Sequence, residues 1–175
     1  MDAKELLRKY AAGERDFSGV DLSGVDLREA ELTRISLVGA NLRKVNLTGA
    51  SLNSSALRDT DLTNANLKGA DLSHATLARA NLQDVDLRRA LMWGTYLREA
   101  NLSGANLEGA NLTNAILIDA EFGVISLEAT ILIGTNFEGV KIPHARGVRL
   151  NSIFNAFYWY TTLPDGSTEV GPRYG

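Results

Sequence analysis

The sequence predicts an all-β fold in which the chain turns a corner every five residues. Of the 26 positions ending in 2 or 7 from Phe17 to Ile142, 21 are leucine. Small or β-branched residues, such as Val25 and Ala30, lie two positions before these centres, and no insertion or deletion shifts the phase. A period of five matches neither an α-helix nor an ordinary strand. It suits short sides that each send one large and one small apolar side chain inward.

The repeating unit, Ala-Asn-Leu-Glu-Gly at residues 105–109, resembles the pentapeptide-repeat family, including its cyanobacterial members. The match covers about residues 15–145. The resemblance implies a right-handed quadrilateral β-helix with four pentapeptides per coil. The 26 units then make about six and a half coils, stacked at roughly 4.8 Å.

Four units per coil place residues twenty apart in one column. The inward columns are expected to form the structural core, which includes Leu42, Leu62, Leu82, Met92, Leu102 and Phe122. Outward Asn and Asp columns, such as the one that begins at Asp21, are expected to bond to nearby backbone rather than to bind metal.

Both ends of a stacked β-helix need covers, because their backbone edges are open. Residues 1–14 are predicted to be a capping helix, since Asp2 and Glu5 have capping-box spacing. The period fails at Gly147, so residues 15–145 are predicted to form the β-helix. Residues 146–175 are predicted to be an irregular or hairpin cap, with strands near 157–163 and 167–170.

The sequence predicts a protein that is not an enzyme and needs no cofactor or metal. It has no cysteine, and its two histidines, His74 and His144, fall on different sides of the rod. The net charge of −3 argues against a nucleic-acid partner. The sequence contains neither a signal peptide nor an apolar run that could enter a membrane, so a cytoplasmic location is expected.

Outward positions that carry apolar side chains are the candidate interaction site. The spacing of twenty residues per coil places them on two adjacent sides of the C-terminal half: Leu91, Trp93, Tyr96, Ile116, Ile118, Ile131 and Ile133. Exposed apolar patches usually mark an interaction site. Two alternatives stay open with equal weight: cover by the aromatic C-terminal tail, or contact with another protein, including a second copy in a homodimer.

Two functions are therefore considered. The first is a structural scaffold that offers its surface to a protein partner that the sequence does not identify. The second follows from the resemblance, because some members of the family mimic DNA and bind DNA gyrase. The chain departs from that mode, since residues 1–90 hold 13 acidic and 13 basic residues. Arg28, Lys68 and Arg88 even share one outward column.

Overall fold

The structure is a computed structural model that describes residues 1–140, 144–146, 159–162 and 168–170. Its elements are one helix and four short strands. They are α1 (Ala3–Ala11), β1 (Val124–Ser126), β2 (His144–Arg146), β3 (Trp159–Thr162) and β4 (Thr168–Val170). The remaining backbone between residues 15 and 140 is organised by single parallel bridges and turns rather than by long strands.

The bridges fix a coil of twenty residues. Each links a residue to the one twenty positions later, from Asp16 with Ser36 to Ile116 with Asn136, without a change of register. Because bridges recur every five residues, each coil has four sides of five residues. Columns of side chains therefore run along the rod at the spacing of neighbouring strands, roughly 4.8 Å.

All but one of the described corners between residues 15 and 140 are four-residue turns. At a typical corner the Val25 N–H donates to the Leu22 carbonyl at 3.1 Å, and Gly24 has a φ of 67°. A positive φ at the third turn residue is the mark of a type II turn. Fourteen corner residues that are not glycine, including Lys44 with a φ of 55°, adopt the same conformation. The turn is therefore imposed by the stacked coils even where glycine is absent.

One corner departs from this pattern while the period is unchanged. Neither Gly123 nor Val124 has the positive φ of the other corners, and Val124 begins β1, which pairs in parallel with β2. The Gly104 N–H donates to the carbonyl of Val124, twenty residues later, at 2.9 Å. In the preceding coil the equivalent N–H, that of Asp84, donates to the carbonyl of Ser103, which is only nineteen residues later. The pairing of Val124 with His144 retains the twenty-residue register.

The centres of the sides form the core. Leu42, Leu62, Leu82, Met92 and Leu102 are fully buried, and Phe122 is almost so. Burial of one such side chain contributes about 1.5–3 kcal/mol. The coils are joined along the rod by backbone hydrogen bonds such as that from the Leu82 N–H to the Asn101 carbonyl, at 2.7 Å.

Helix α1 lies over the open edge of the first coil. Asp2 accepts a hydrogen bond from the Glu5 N–H at 2.8 Å, which begins the helix, and Leu6 is fully buried against the core. The Met1 ammonium donates to the Asp21 carbonyl at 2.9 Å, and the Tyr10 hydroxyl donates to the Thr33 carbonyl at 2.8 Å. In the next coil the equivalent carbonyls accept N–H groups of the preceding coil. The helix thus supplies donors that a further coil would provide.

Near the C-terminus, β3 and β4 pair antiparallel, with Trp159 opposite Val170 and Thr162 opposite Thr168. These strands lie within the two segments that the sequence predicts as strands. The connection between the two strands, residues 163–167, lies outside the described residues. The same holds for Phe154, Phe157 and Tyr158 of the C-terminal tail, so cover of the apolar residues by this tail stays one of the two alternatives.

Candidate functional site

Four of the seven candidate residues lie on one side of the rod, here called the Leu91 side. It comprises residues 91–95 and the segments stacked on them at intervals of twenty residues, 71–75, 111–115 and 131–135. Leu91 is bridged to Asp71 and to Asn111, and Asn111 is bridged to Ile131. The column therefore runs Asp71, Leu91, Asn111, Ile131, with Leu91 49% and Ile131 42% exposed.

A second column on this side runs along a corner of the rod. Trp93 is 43% and Ile133 is 45% exposed. The Trp93 carbonyl accepts the His74 N–H at 2.9 Å, and the Ile133 carbonyl accepts the Asn114 N–H at 2.8 Å, so the two residues occupy equivalent places two coils apart. The rings of His74 and Trp93 meet edge to face, with centroids 4.4 Å apart. This contact orients the indole on the surface.

A polar pair separates the two apolar coils of the Leu91 side. The Thr113 hydroxyl and the Thr113 N–H both donate to Asn111 Oδ1, at 2.7 and 3.0 Å. Asn111 and Thr113 lie in the coil between Leu91 and Ile131. The apolar surface here is therefore two bands with a polar band between them, a pattern that the sequence prediction of one patch does not contain.

The other three candidates lie on the next side, the Tyr96 side, which comprises residues 96–100 and their stacked equivalents. Tyr96 is bridged directly to Ile116, so these two side chains are neighbours along the rod. Tyr96 is exposed, whereas Ile116 and Ile118 are half-buried. Ile118 follows Ile116 by two residues and lies at the far corner of the side.

Charge is absent from the Leu91 side in this part of the rod. Residues 91–95, 111–115 and 131–135 contain no Asp, Glu, Lys, Arg or His. Charged residues border it on the preceding side, with Arg88 and Arg89 beside the Leu91 coil and Glu128 beside the Ile131 coil. Arg88 is bound to Asp86 at 2.6 Å, and this hydrogen bond raises the pKa of the guanidinium above its usual value.

Sequence reasoning missed two exposed apolar residues, Val124 and Leu7. Val124 is exposed at the irregular corner, diagonally across the rod from Trp93. Leu7 lies on α1 next to the buried Leu6 and is 39% exposed. The outward-position rule could have found Val124, because position 124 is a corner position. Neither residue joins the candidate site.

The described part of the chain contains no cluster of three or more His, Asp or Glu that could hold a metal ion. None of the helices in that part is long and apolar enough to span a membrane. The contact of His74 is the edge-to-face packing against Trp93 that is described above.

Two family models match the sequence. The model for a pentapeptide repeat region matches residues 15–87, and the model for pentapeptide repeats, with eight copies, matches residues 95–123. Together they cover more than half of the chain. A search of the curated proteins found no match.

Solved structures of similar proteins were also found. HetL, a pentapeptide repeat protein involved in heterocyst differentiation regulation in the cyanobacterium Nostoc sp. strain PCC 7120, is 26% identical over 97% of this chain and 100% of its own, with a TM-score of 0.44. A pentapeptide repeat protein of the Arabidopsis thaliana thylakoid lumen is 33% identical over 60% of this chain and 70% of its own, with a TM-score of 0.48. A trypsin-treated variant of QnrB1, a plasmid-mediated fluoroquinolone resistance protein, is 16% identical over 82% and 77% of the two chains, with a TM-score of 0.54.

Proposed function

The chain belongs to the pentapeptide-repeat family, whose architecture is the right-handed quadrilateral β-helix, and from this premise we propose that it is a non-catalytic scaffold that binds a protein partner. The concentration of exposed apolar side chains around the Trp93 corner carries the proposal. Repeat folds of this kind use extended surfaces rather than pockets for binding.

The distribution of exposed large apolar residues supports a localised site. Five of the seven such residues in the described chain lie on the Leu91 and Tyr96 sides, within three coils: Leu91, Trp93, Tyr96, Ile131 and Ile133. Exposed apolar side chains that are concentrated on one part of a soluble protein mark a binding site. Trp and Tyr are also the residues most often found at the energetic centre of protein interfaces.

The rigidity of the support favours binding without rearrangement. Every coil is held to its neighbours by backbone hydrogen bonds, and Trp93 is additionally oriented by His74. A surface that is already ordered loses little conformational entropy when a partner binds. The half-buried Ile116 beside Tyr96 adds apolar area next to the exposed ring.

DNA mimicry is the less favoured alternative. The likeness to QnrB1, at 16% identity, concerns the fold alone. A mimic of DNA needs a continuous negative face, whereas here Arg28 is bound to Asp26 at 2.7 Å and Arg88 to Asp86 on the same side of the rod. We therefore expect no inhibition in a gyrase supercoiling assay with micromolar protein.

Affinity capture from the native host tests the proposal. The tagged protein is compared with a Trp93→Ser, Tyr96→Ser double variant and with a Leu7→Ser control, which changes an exposed apolar residue outside the site. We expect a specific partner with the wild type and the control, and at least a tenfold loss with the double variant. Circular dichroism confirms that all three are folded. Equal capture by the double variant would refute the proposal.

A further inference from the structure

The bands of the Leu91 side have an order that reads the same in both directions along the rod. The Leu91 coil presents Leu91 and Trp93, the next coil presents Asn111 and Thr113, and the third presents Ile131 and Ile133. The outer coils are apolar and the central coil is polar. Because the coils are evenly spaced, the Asn111 coil is the centre of this pattern.

Such an order matches the symmetry of a two-fold dimer. When two copies meet face to face, the two-fold axis lies in the plane of contact and each copy uses the same surface. A two-fold axis that crosses the rod at the Asn111 coil reverses the order of the coils in the second copy. Each residue stays on the same edge of the Leu91 side. Leu91 then faces Ile131 of the partner subunit, and Trp93 faces Ile133 of the partner subunit.

The parallel alternative gives a poorer match. An axis along the rod would keep each coil opposite its own copy and exchange the two edges of the side. Trp93 would then lie opposite the corner that carries Arg89, so an apolar column would meet a charged one. Only the antiparallel arrangement brings both apolar columns together.

The polar residues at the centre are compatible with the axis. In the antiparallel arrangement, Asn111 and Thr113 each face their own copy. The Thr113 hydroxyl proton is used by Asn111 Oδ1 of the same chain, which leaves Asn111 Nδ2 as a donor and Thr113 Oγ1 as an acceptor, so the two residues can exchange hydrogen bonds across the two-fold axis. A charged residue at this place would instead meet a like charge.

The charges at the border also favour the antiparallel arrangement. Arg88 and Arg89 lie beside the Leu91 coil, and Glu128 lies beside the Ile131 coil in the column of Arg88. Reversal of the coils places these arginines near Glu128 of the partner subunit, twice in each dimer. Glu108, in the central coil of that column, meets Glu108 of the partner subunit, and Arg88 of each chain offsets this like-charge contact: the pKa of Arg88 is raised first by Asp86 and further by Glu108.

We propose that the Leu91 side binds a second copy of this chain, as an antiparallel homodimer with its two-fold axis at the Asn111 coil. The inference rests on the proposed scaffold function and names the partner of one half of the site. The Tyr96 side stays open for a different protein. Three coils span only about 15 Å of the rod, and such a small contact predicts a weak dimer, with a dissociation constant of roughly 10–1000 µM.

The absence of cysteine makes cross-linking a direct test, because each introduced thiol is unique. Face-to-face sheets lie roughly 10 Å apart, so a bis-maleimide of that reach is suitable. Thr113→Cys lies at the axis and is expected to give a covalent dimer alone. Leu91→Cys is expected to cross-link when mixed with Ile131→Cys and at least fivefold less alone. Ser73→Cys, in the Thr113 column but two coils from the axis, is the matched control.

Each result is decisive. Cross-linking of Leu91→Cys alone, without that of Thr113→Cys, would indicate a parallel dimer and overturn the proposal. A protein that stays monomeric in sedimentation up to 1 mM (roughly the upper end of the expected range) would overturn it as well. Protection of an Ile133→Cys thiol in that monomer would identify the C-terminal tail as the occupant.

If cross-linking fails while partner capture persists, the scaffold function stands alone. If Thr113→Cys cross-links and a Tyr96→Ser single variant captures as much host protein as the wild type, the dimer stands and the proposed second partner falls.

Discussion

Some of the positions two residues before the side centres, where small residues predominate, carry buried hydroxyl groups. These hydroxyls show how single residues fit the coil. Thr95, Thr130 and Thr135 each donate to a centre carbonyl of the preceding coil, those of Leu72, Leu107 and Leu112. Ser55 occupies the same register, yet its hydroxyl has no hydrogen-bond partner although the residue is only 2% exposed. A buried polar group without a partner reduces stability, because it has lost its bonds to water.

Replacement of Ser55 by alanine is expected to raise the free energy of unfolding by about 1 kcal/mol, since it removes this unpaired hydroxyl. The matched change Thr95→Val removes a hydroxyl that is bonded at 2.9 Å and is expected to lower stability by about 1 kcal/mol. Urea unfolding of both variants provides the measurement. Destabilisation by Ser55→Ala would show that the hydroxyl has a partner.

At the scale of the elements, α1 demonstrates how an open β-helix edge is closed. Its two faces differ sharply: Leu6 is fully buried, whereas Leu7 is exposed. Tyr10 adds a hydroxyl bond to the Thr33 carbonyl. The Arg15 guanidinium lies 3.9 Å from the centre of the Tyr10 ring and helps to hold it in place.

Leu6→Ala is expected to lower the free energy of unfolding by about 2–4 kcal/mol, because it leaves a cavity between α1 and the first coil. Leu7→Ala, one residue away on the exposed face, is expected to change it by less than about 0.5 kcal/mol. Thermal unfolding followed by circular dichroism compares the two. Equal effects would mean that α1 does not pack on the coil as described.

The elements also show where sequence reasoning succeeds and where it stops. The helix and its Asp2 N-cap follow from local rules, because the side chain bonds its own first turn. The positive φ of residues such as Lys44 does not, since it arises from the hydrogen bonds of neighbouring coils rather than from the residue. The extended corner at Val124 is equally hidden, because the five-residue spacing passes through it unchanged.

At the scale of the whole molecule, the five-residue period predicts which residues stack in columns. These columns assign all seven candidate residues to the Leu91 and Tyr96 sides. The exposure of Ile116 and Ile118 was not predictable from the period, because it depends on how neighbouring side chains cover one another. The polar band at Asn111 and Thr113 was present in the sequence, but it becomes visible only when the coil between the two apolar coils is considered.

The Asp columns make the stability of the whole rod depend on pH. The pKa values of Asp26 and Asp86 are lowered from 3.8, chiefly by hydrogen bonds from Arg28 and Arg88, and that of Asp21 by the Ser23 N–H. A carboxyl whose pKa is lower in the folded state stabilises that state above the unfolded pKa and loses this contribution as the pH falls through the folded value.

We therefore expect a melting temperature that is nearly constant from pH 8 to 5 and falls below about pH 4. Asp86→Asn retains an oxygen that can accept the Arg88 N–H but cannot be protonated in this range. The fall in its melting temperature between pH 4 and 2 should be smaller than that of the wild type. Scanning calorimetry across this range provides the comparison, and identical pH profiles would contradict the assignment.

The direction of the backbone hydrogen bonds has a mechanical consequence. They point along the rod from coil to coil, as the bond from Leu82 to Asn101 does, while the covalent chain winds around it. A tensile load on the two ends therefore opens these bonds a few at a time instead of shearing a whole ladder together. Under such a load the rod yields by releasing one coil after another, each lengthening the chain by roughly 60 Å.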